Sequence, residues 1–393
     1  MPTISKNSVP HMGSSKICGI NANQTIFVTN GSSNKSVLIS IIDKQGEITP
    51  IFFLNCVFQI VFFLWHHTNP LIFFTVEHNC VTAHQLSEDA DNTSNVLGKF
   101  EFEECITSIS INKEGGIMLV MFSEKNYAKL LSLNYSAGSI KFSCIGRKRI
   151  PNNDEQIVAL NIFDNVYAFM SNDENGSITV GMFCKETGKN LQPRIWDEQD
   201  LMSGISVQFS PDGKFLVALS DNEIILYSFS KDPFALNLVS QVNFNFECIC
   251  VNIVWHHTLP LLIGLFNENE VSVIRFYKAN KHGLTQIFEH IFNEELNVDF
   301  CVFNCFAIFG SIDSLGSEIF ITINFEDLIH FPLKEMLMIR NVSNHFLQND
   351  DLVLTILEKN YQKHLSFERF EHLMIHSSPN SEATSELPES RKI

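Results

Sequence analysis

Short runs of apolar residues separated by polar turns recur along the whole chain. They begin at Val37 (VLISII), Val81 (VTAHQL), Ala128 (AKLLSL), Ile178 (ITVGMF), Ile224 (IILYSF), Val271 (VSVIRF), Ile319 (IFITINF) and Leu365 (LSFERF). Each follows a turn rich in Asn, Ser, Gly, Asp or Glu, and successive starts lie 44 to 50 residues apart. Short runs dominated by β-branched, aromatic and other apolar side chains predict strands. Their regular spacing predicts a repeat architecture of small antiparallel sheets.

Two copies share more than the spacing. Trp65-His66-His67-Thr68-Asn69-Pro70-Leu71 returns 190 residues later as Trp255-His256-His257-Thr258-Leu259-Pro260-Leu261, so Trp65 and Trp255 are expected at equivalent, buried positions. Another copy carries a tight Pro-Asp-Gly turn in Phe209-Ser210-Pro211-Asp212-Gly213-Lys214, followed by the strand Phe215 to Ser220 and a second turn at Asp221-Asn222. With these residues the chain resembles the WD-repeat family, whose pattern is a turn of this kind, a strand, an acidic turn and a strand ending in Trp-Asp. The Trp-Asp ending is replaced by His84-Gln85, Tyr227-Ser228 and Arg275-Phe276, and the family's Gly-His start is missing.

The fold expected is all-β: a single closed β-propeller of four-stranded blades, because a blade buries both faces only against neighbours and closure removes exposed edges. Eight copies give eight blades, or seven if the incomplete first and last copies share one; seven is the reading adopted. The propeller is placed at residues 17–376, after a flexible N-terminus (1–16) and before a disordered tail (377–393) rich in Ser, Glu and Pro.

Composition adds constraints. Apolar residues make up 45% of the 393 and charged residues 18%, which suits a packed core. Phe occurs 35 times against three Trp, so Phe is expected to fill the aromatic core positions. A net charge of −17 opposes non-specific attraction to a phosphate backbone, so no direct nucleic-acid binding is expected, and protein partners with basic contact residues are. Glu101, Glu103 and Glu104 form a candidate acidic rim, while Arg147-Lys148-Arg149 reads as a solvated loop. The first ten residues lack a continuous apolar core, so no secretory signal is read, a cytoplasmic location is expected and the ten cysteines are expected to be reduced thiols. The run Ile51 to Trp65 (IFFLNCVFQIVFFLW) is nearly all apolar, but its 15 residues are short for a spanning helix and Asn55 and Gln59 interrupt it. It reads as blade strands, with no membrane insertion.

No catalytic, cofactor-binding or metal-binding residue is assigned. The His66-His67 and His256-His257 pairs tempt a metal reading, but adjacent strand residues point to opposite faces and the repetition favours a structural role. Cys248 and Cys250, and Cys301 and Cys305, lack the usual Cys-x2-Cys spacing and read as core. Gly181 to Gly188-Lys189 has six residues between its glycines where a P-loop has four, and Asn190 replaces the Ser or Thr. No Gly-x-Ser-x-Gly turn occurs. The chain therefore reads as a non-enzyme with no cofactor and no small-molecule substrate: a protein–protein interaction scaffold in a multi-subunit complex. The stretches Lys16 to Ile42, the blade to Leu86 and the Pro-Asp-Gly blade resemble the WD-repeat region of the large mRNA-decapping scaffolds, which implies a P-body protein joining decapping factors. The alternative, from the Trp-His-x-Thr-x-Pro-Leu wording, is a propeller subunit of a vesicle-coat or intraflagellar-transport assembly.

Overall fold

The computed structural model describes residues 3–325 apart from short inter-strand segments, of which the longest are 88–93 and 150–155. It contains 28 strands in seven four-stranded antiparallel sheets and no helix among the described residues. The sheets are the blades of a propeller. Blades 1 to 6 are formed in sequence by residues 12–55, 60–101, 106–149, 156–198, 204–243 and 248–292. In each, chain order is also spatial order, from an inner strand beside the central channel to an outer strand.

Blade 7 is built from both ends of this region. Leu296–Phe303, Phe306–Ile312 and Glu318–Asn324 supply three strands, and Thr3–Ser8 adds the fourth, antiparallel, with Thr3 opposite Asn324 and Ser8 opposite Ile319. The first strand of blade 1, Met12–Ile20, packs against all three of the other blade 7 strands and closes the ring. Residues 1–16, expected as a flexible N-terminus, thus include this strand and the start of Met12–Ile20. Thr3–Ser8 (TISKNS) is too polar to announce a strand, yet the exposed edge of Glu318–Asn324 offers a row of backbone groups that pairing satisfies. The first seven predicted apolar runs all fall in third strands, from Ser36–Ile42 to Glu318–Asn324. The ring is complete at Asn324, so the span to 376 is not needed for closure; the eighth run at Leu365 and the tail 377–393 lie outside the described residues.

The middle strands read as continuous apolar runs because both faces are covered by neighbouring blades. In Ile117–Phe122 (IMLVMF) every side chain is buried, but alternate residues enter different cores. Met118, Val120 and Phe122 join Phe74, Val76 and Ala83 of blade 2, whereas Ile117, Leu119 and Met121 meet Tyr167 and Phe169 of blade 4. The period of two survives as a choice of partner instead of a choice between core and water. Outer strands show the contrast: Phe234–Asn243 is half-buried or exposed throughout.

Bulges recur at matching places. The inner strands of blades 2 to 6 shift register by one residue after Ile60, Ile106, Ile157, Gly204 and Cys250. Outer strands of blades 1, 2, 3, 5 and 6 shift opposite Ile39, Ala83, Leu130, Leu226 and Phe276. Each bulge adds local twist, which a four-stranded blade needs to follow the ring. The run Ile51 to Trp65 divides between the outer strand of blade 1 (Ile48–Asn55) and the inner strand of blade 2 (Ile60–Trp65). No helix among the described residues is long and apolar enough to cross a membrane.

Candidate functional site

Each inner strand ends in a turn that leads to the second strand, and one residue at its start holds that turn. In blade 2 it is His66, whose N–H donates to the Ile72 carbonyl (2.9 Å) while its Nδ1 accepts the N–H groups of Thr68 (3.2 Å) and Asn69 (3.0 Å). His256 repeats this in blade 6, donating to Leu261 (2.8 Å) and accepting from Thr258 (3.2 Å) and Leu259 (3.1 Å). Asn112 and Ser210 hold the same place in blades 3 and 5, their side-chain oxygens each accepting at 2.9 Å, from Ile117 and Phe215 respectively. Four blades therefore use three residue types for one task, the satisfaction of turn N–H groups. For the histidines this fixes the tautomer with the proton on Nε2, and burial, helped by the neighbouring His67, lowers the His66 pKa to about 4.

The residue before this cap is Trp65 in one blade and Trp255 in the other, each 7% exposed. They end the same strand of their blades and pack against the preceding blade, as expected from the shared wording. The Trp255 indole N–H donates to the Gln208 carbonyl of blade 5 (3.4 Å). Similar bonds link successive inner strands. His67 Nε2–H donates to the Ile111 carbonyl (3.2 Å), Ser110 Oγ accepts from Ile162 (3.3 Å), Asn161 Oδ1 accepts from Phe209 (3.3 Å) and the Gln208 amide donates to Ile253 (2.8 Å). These bonds tie blades 2 to 6 around the channel.

At this end the inner strands enclose a cavity of about 680 Å³. Phe63, Trp65, Phe163, Phe209 and Trp255 give it aromatic walls, and Val302 of blade 7 contributes the far side. The residue after each cap faces it: His67, Lys113, Pro211 and His257. One position in the repeat is thus framed by a fixed turn and free to vary in chemistry. His67 and His257 are reached by solvent yet surrounded by protein, and burial lowers both pKa values, that of His257 to about 4. Both are neutral at pH 7. Lys113 is exposed and makes no hydrogen bond or ion pair among the described residues.

Among the described residues, no Asp or Glu lines the cavity. The carboxylates nearby on this face are held by lysines: Lys185 bonds Glu114 (2.5 Å) and Asp164 (2.5 Å), and Lys231 also bonds Asp164. Burial opposes ionisation of Asp164, but the two ammoniums prevail and hold its pKa below the ordinary value. This chain of ion pairs joins blades 3, 4 and 5. Asp212 is held within its own turn by Ser210 (2.7 Å) and Lys214 (3.1 Å).

Other residues singled out in the sequence take different roles. The histidine pairs are spent on turn capping and strand linkage, and the described residues hold no grouping of three or more His, Cys, Asp or Glu that could bind a metal. Cys248 and Cys250 are buried in the core between blades 5 and 6, where burial pushes the Cys250 thiol well up. Cys301 is also buried; Cys305 lies outside the described residues. The basic triplet is not a loop: it ends the outer strand Ser139–Arg149 of blade 3. Arg147 and Arg149 lie over the Tyr127 ring (4.9 and 5.9 Å), while Lys148 turns inward to the Gly188 carbonyl (2.5 Å) and Asn190 Oδ1 (2.6 Å). Two motifs read separately, the triplet and the Gly188-Lys189 turn, therefore meet at the seam of blades 3 and 4. Two of the three acids of the candidate rim are likewise paired. Glu104 accepts from Tyr127 (2.9 Å) and Lys129 (3.1 Å), and Glu101 pairs with Lys99 (2.8 Å). Lys113 was not singled out in the sequence; aligning Asn112-Lys113 with His66-His67 and Ser210-Pro211 as turn starts would have found it.

The fold defines the class: a seven-bladed β-propeller. No family model and no curated protein matches the sequence. The chain is similar in structure to the Swd1 (Cps50) β-propeller domain of Myceliophteria thermophila, with TM-score 0.59 and 10% identity over 82% of this chain and 99% of that one. A chain of the Mitotic Checkpoint Complex gives TM-score 0.58 and 10% identity over 83% and 96%. A Bacteroides fragilis protein assigned as a 6-phosphogluconolactonase gives 0.53 and 14% over 70% and 87%. At these identities the likeness is one of fold, shared by WD-type propellers and by an enzyme-assigned one.

Proposed function

We propose that this chain is a non-catalytic scaffold that binds segments of other proteins at the channel mouth. The observation that carries the reading is the concave site itself. Rigid capped turns from successive blades present His67, Lys113, Pro211 and His257 around one cavity, a construction in which contact chemistry varies on a fixed frame. The similarity to a chain of the Mitotic Checkpoint Complex supports a propeller's place in a protein assembly. Saturable binding to a protein partner, without hydrolase turnover on lactone or ester substrates, tests this reading. Lactonase turnover lost with a mouth substitution would replace it.

Within the scaffold class, the finer reading is a component of cytoplasmic mRNA decapping, supported by the wording of Lys16 to Ile42 and of the Pro-Asp-Gly blade. The competing reading is a coat or intraflagellar-transport subunit, supported by the two Trp-His-His-Thr-x-Pro-Leu turns. Affinity purification with mass spectrometry separates them: decapping factors select the first and coat subunits the second.

A further inference from the structure

The charge of the whole chain and the charge of its channel mouth point to different partners. Among the described residues, no Asp or Glu lines the cavity. The carboxylates in the surrounding turns are already held, Glu114 and Asp164 by Lys185 at 2.5 Å each and Asp212 by Lys214 at 3.1 Å. Segments 21–25 and 304–305, which join inner to second strands in blades 1 and 7, contain no Asp or Glu. What remains is one ammonium, Lys113, without a partner among the described residues, beside two neutral imidazoles and a wall of indole and phenyl rings.

We propose that the channel mouth receives an acidic peptide segment of a partner protein, its carboxylate on Lys113 and an adjacent apolar side chain among Trp65, Phe163, Phe209 and Trp255. This deepens the scaffold reading and rests on it. A basic segment would bring a second cation beside Lys113 with no carboxylate among the described residues of the wall to accept it, and like charges in a partly desolvated site repel. An acidic segment finds a cation that no described carboxylate pairs. Its apolar neighbour leaves water for a cavity of about 680 Å³, room for a side chain or two of a segment's tip.

The test is selection of short random peptides displayed on phage against the immobilised full chain, followed by fluorescence anisotropy of the enriched peptides. Three proteins are compared: the unaltered chain, Lys113→Glu, and Arg147→Glu as a control on the outer strand of blade 3. Lys113 is exposed, and matching thermal midpoints confirm that its variant folds. The enriched peptides should carry Asp or Glu next to Trp, Phe or Leu. Their Kd should rise about tenfold or more with Lys113→Glu and stay within about twofold with Arg147→Glu. Enrichment of basic or neutral peptides, no enrichment at all, or equal affinity for Lys113→Glu would overturn the proposal. Peptides that bind independently of Lys113 would leave the scaffold reading standing. Absence of both peptide and protein binding would remove both.

Discussion

His66 and His256 must stay unprotonated at Nδ1, because that atom accepts two backbone N–H groups in each turn. Removing the acceptor leaves those groups unsatisfied, so His66→Ala should lower stability by about 1–3 kcal/mol. Asn does the same task at position 112, and His66→Asn should recover much of the loss. Denaturant unfolding of the two variants checks both expectations; equal destabilisation would deny the capping role. Acid acts on the same groups. Burial is the leading cause that lowers His66, His84 and His257 to about 4 in the folded chain, below the ordinary 6.5. The unfolded chain then binds more protons between those values, so the contribution of these histidines is full above pH 6.5 and is lost as pH falls toward 4. The melting temperature should fall measurably between pH 7 and pH 5, before the carboxylates titrate. A flat profile over that window would contradict the buried neutral imidazoles.

At the scale of strands, burial on both faces makes the second and third strands easy to read and costly to disturb. Phe122 is 1% exposed and packs against blade 2, and Phe122→Ala should cost about 3–5 kcal/mol. Val96, on the outer strand of the same neighbouring blade, is 62% exposed, and Val96→Lys should change stability by no more than about 0.5 kcal/mol. Chemical denaturation of the pair tests whether the inner-to-outer order of strands is right. The same gradient explains what the sequence revealed. Seven third strands were legible as apolar runs, and Trp65 and Trp255 as equivalents, because two-sided burial leaves a pattern in residue type. Thr3–Ser8 left none, since an edge strand is held by backbone hydrogen bonds that any residue supplies and its partner lies at the far end of the ring. Arg147-Lys148-Arg149 was misread as a loop because its charges conceal an alternation in which only Lys148 turns inward. The cavity was not legible: Trp65 and Trp255 read as buried equivalents and the histidine pairs as structural, and the meaning of Lys113 depends on carboxylates elsewhere in the ring being paired.

The whole molecule depends on closure. Without Thr3–Ser8, blade 7 would present Glu318–Asn324 as an open edge, so hydrogen exchange at residues 3–8 should be slowed by pairing and deletion of these residues should promote association between chains. Exchange at the rate of free peptide would place the closure elsewhere. A closed ring also brings turns from blades far apart in sequence to one mouth, which is how His67 and His257 line a single cavity. Binding at that mouth is measured most directly by titration calorimetry of the purified chain with a protein partner recovered by affinity purification, comparing the unaltered chain with a folded Lys113→Glu/His257→Glu variant. Saturable binding that the variant loses is the expected result; unchanged affinity in the variant would contradict a scaffold working through its channel mouth.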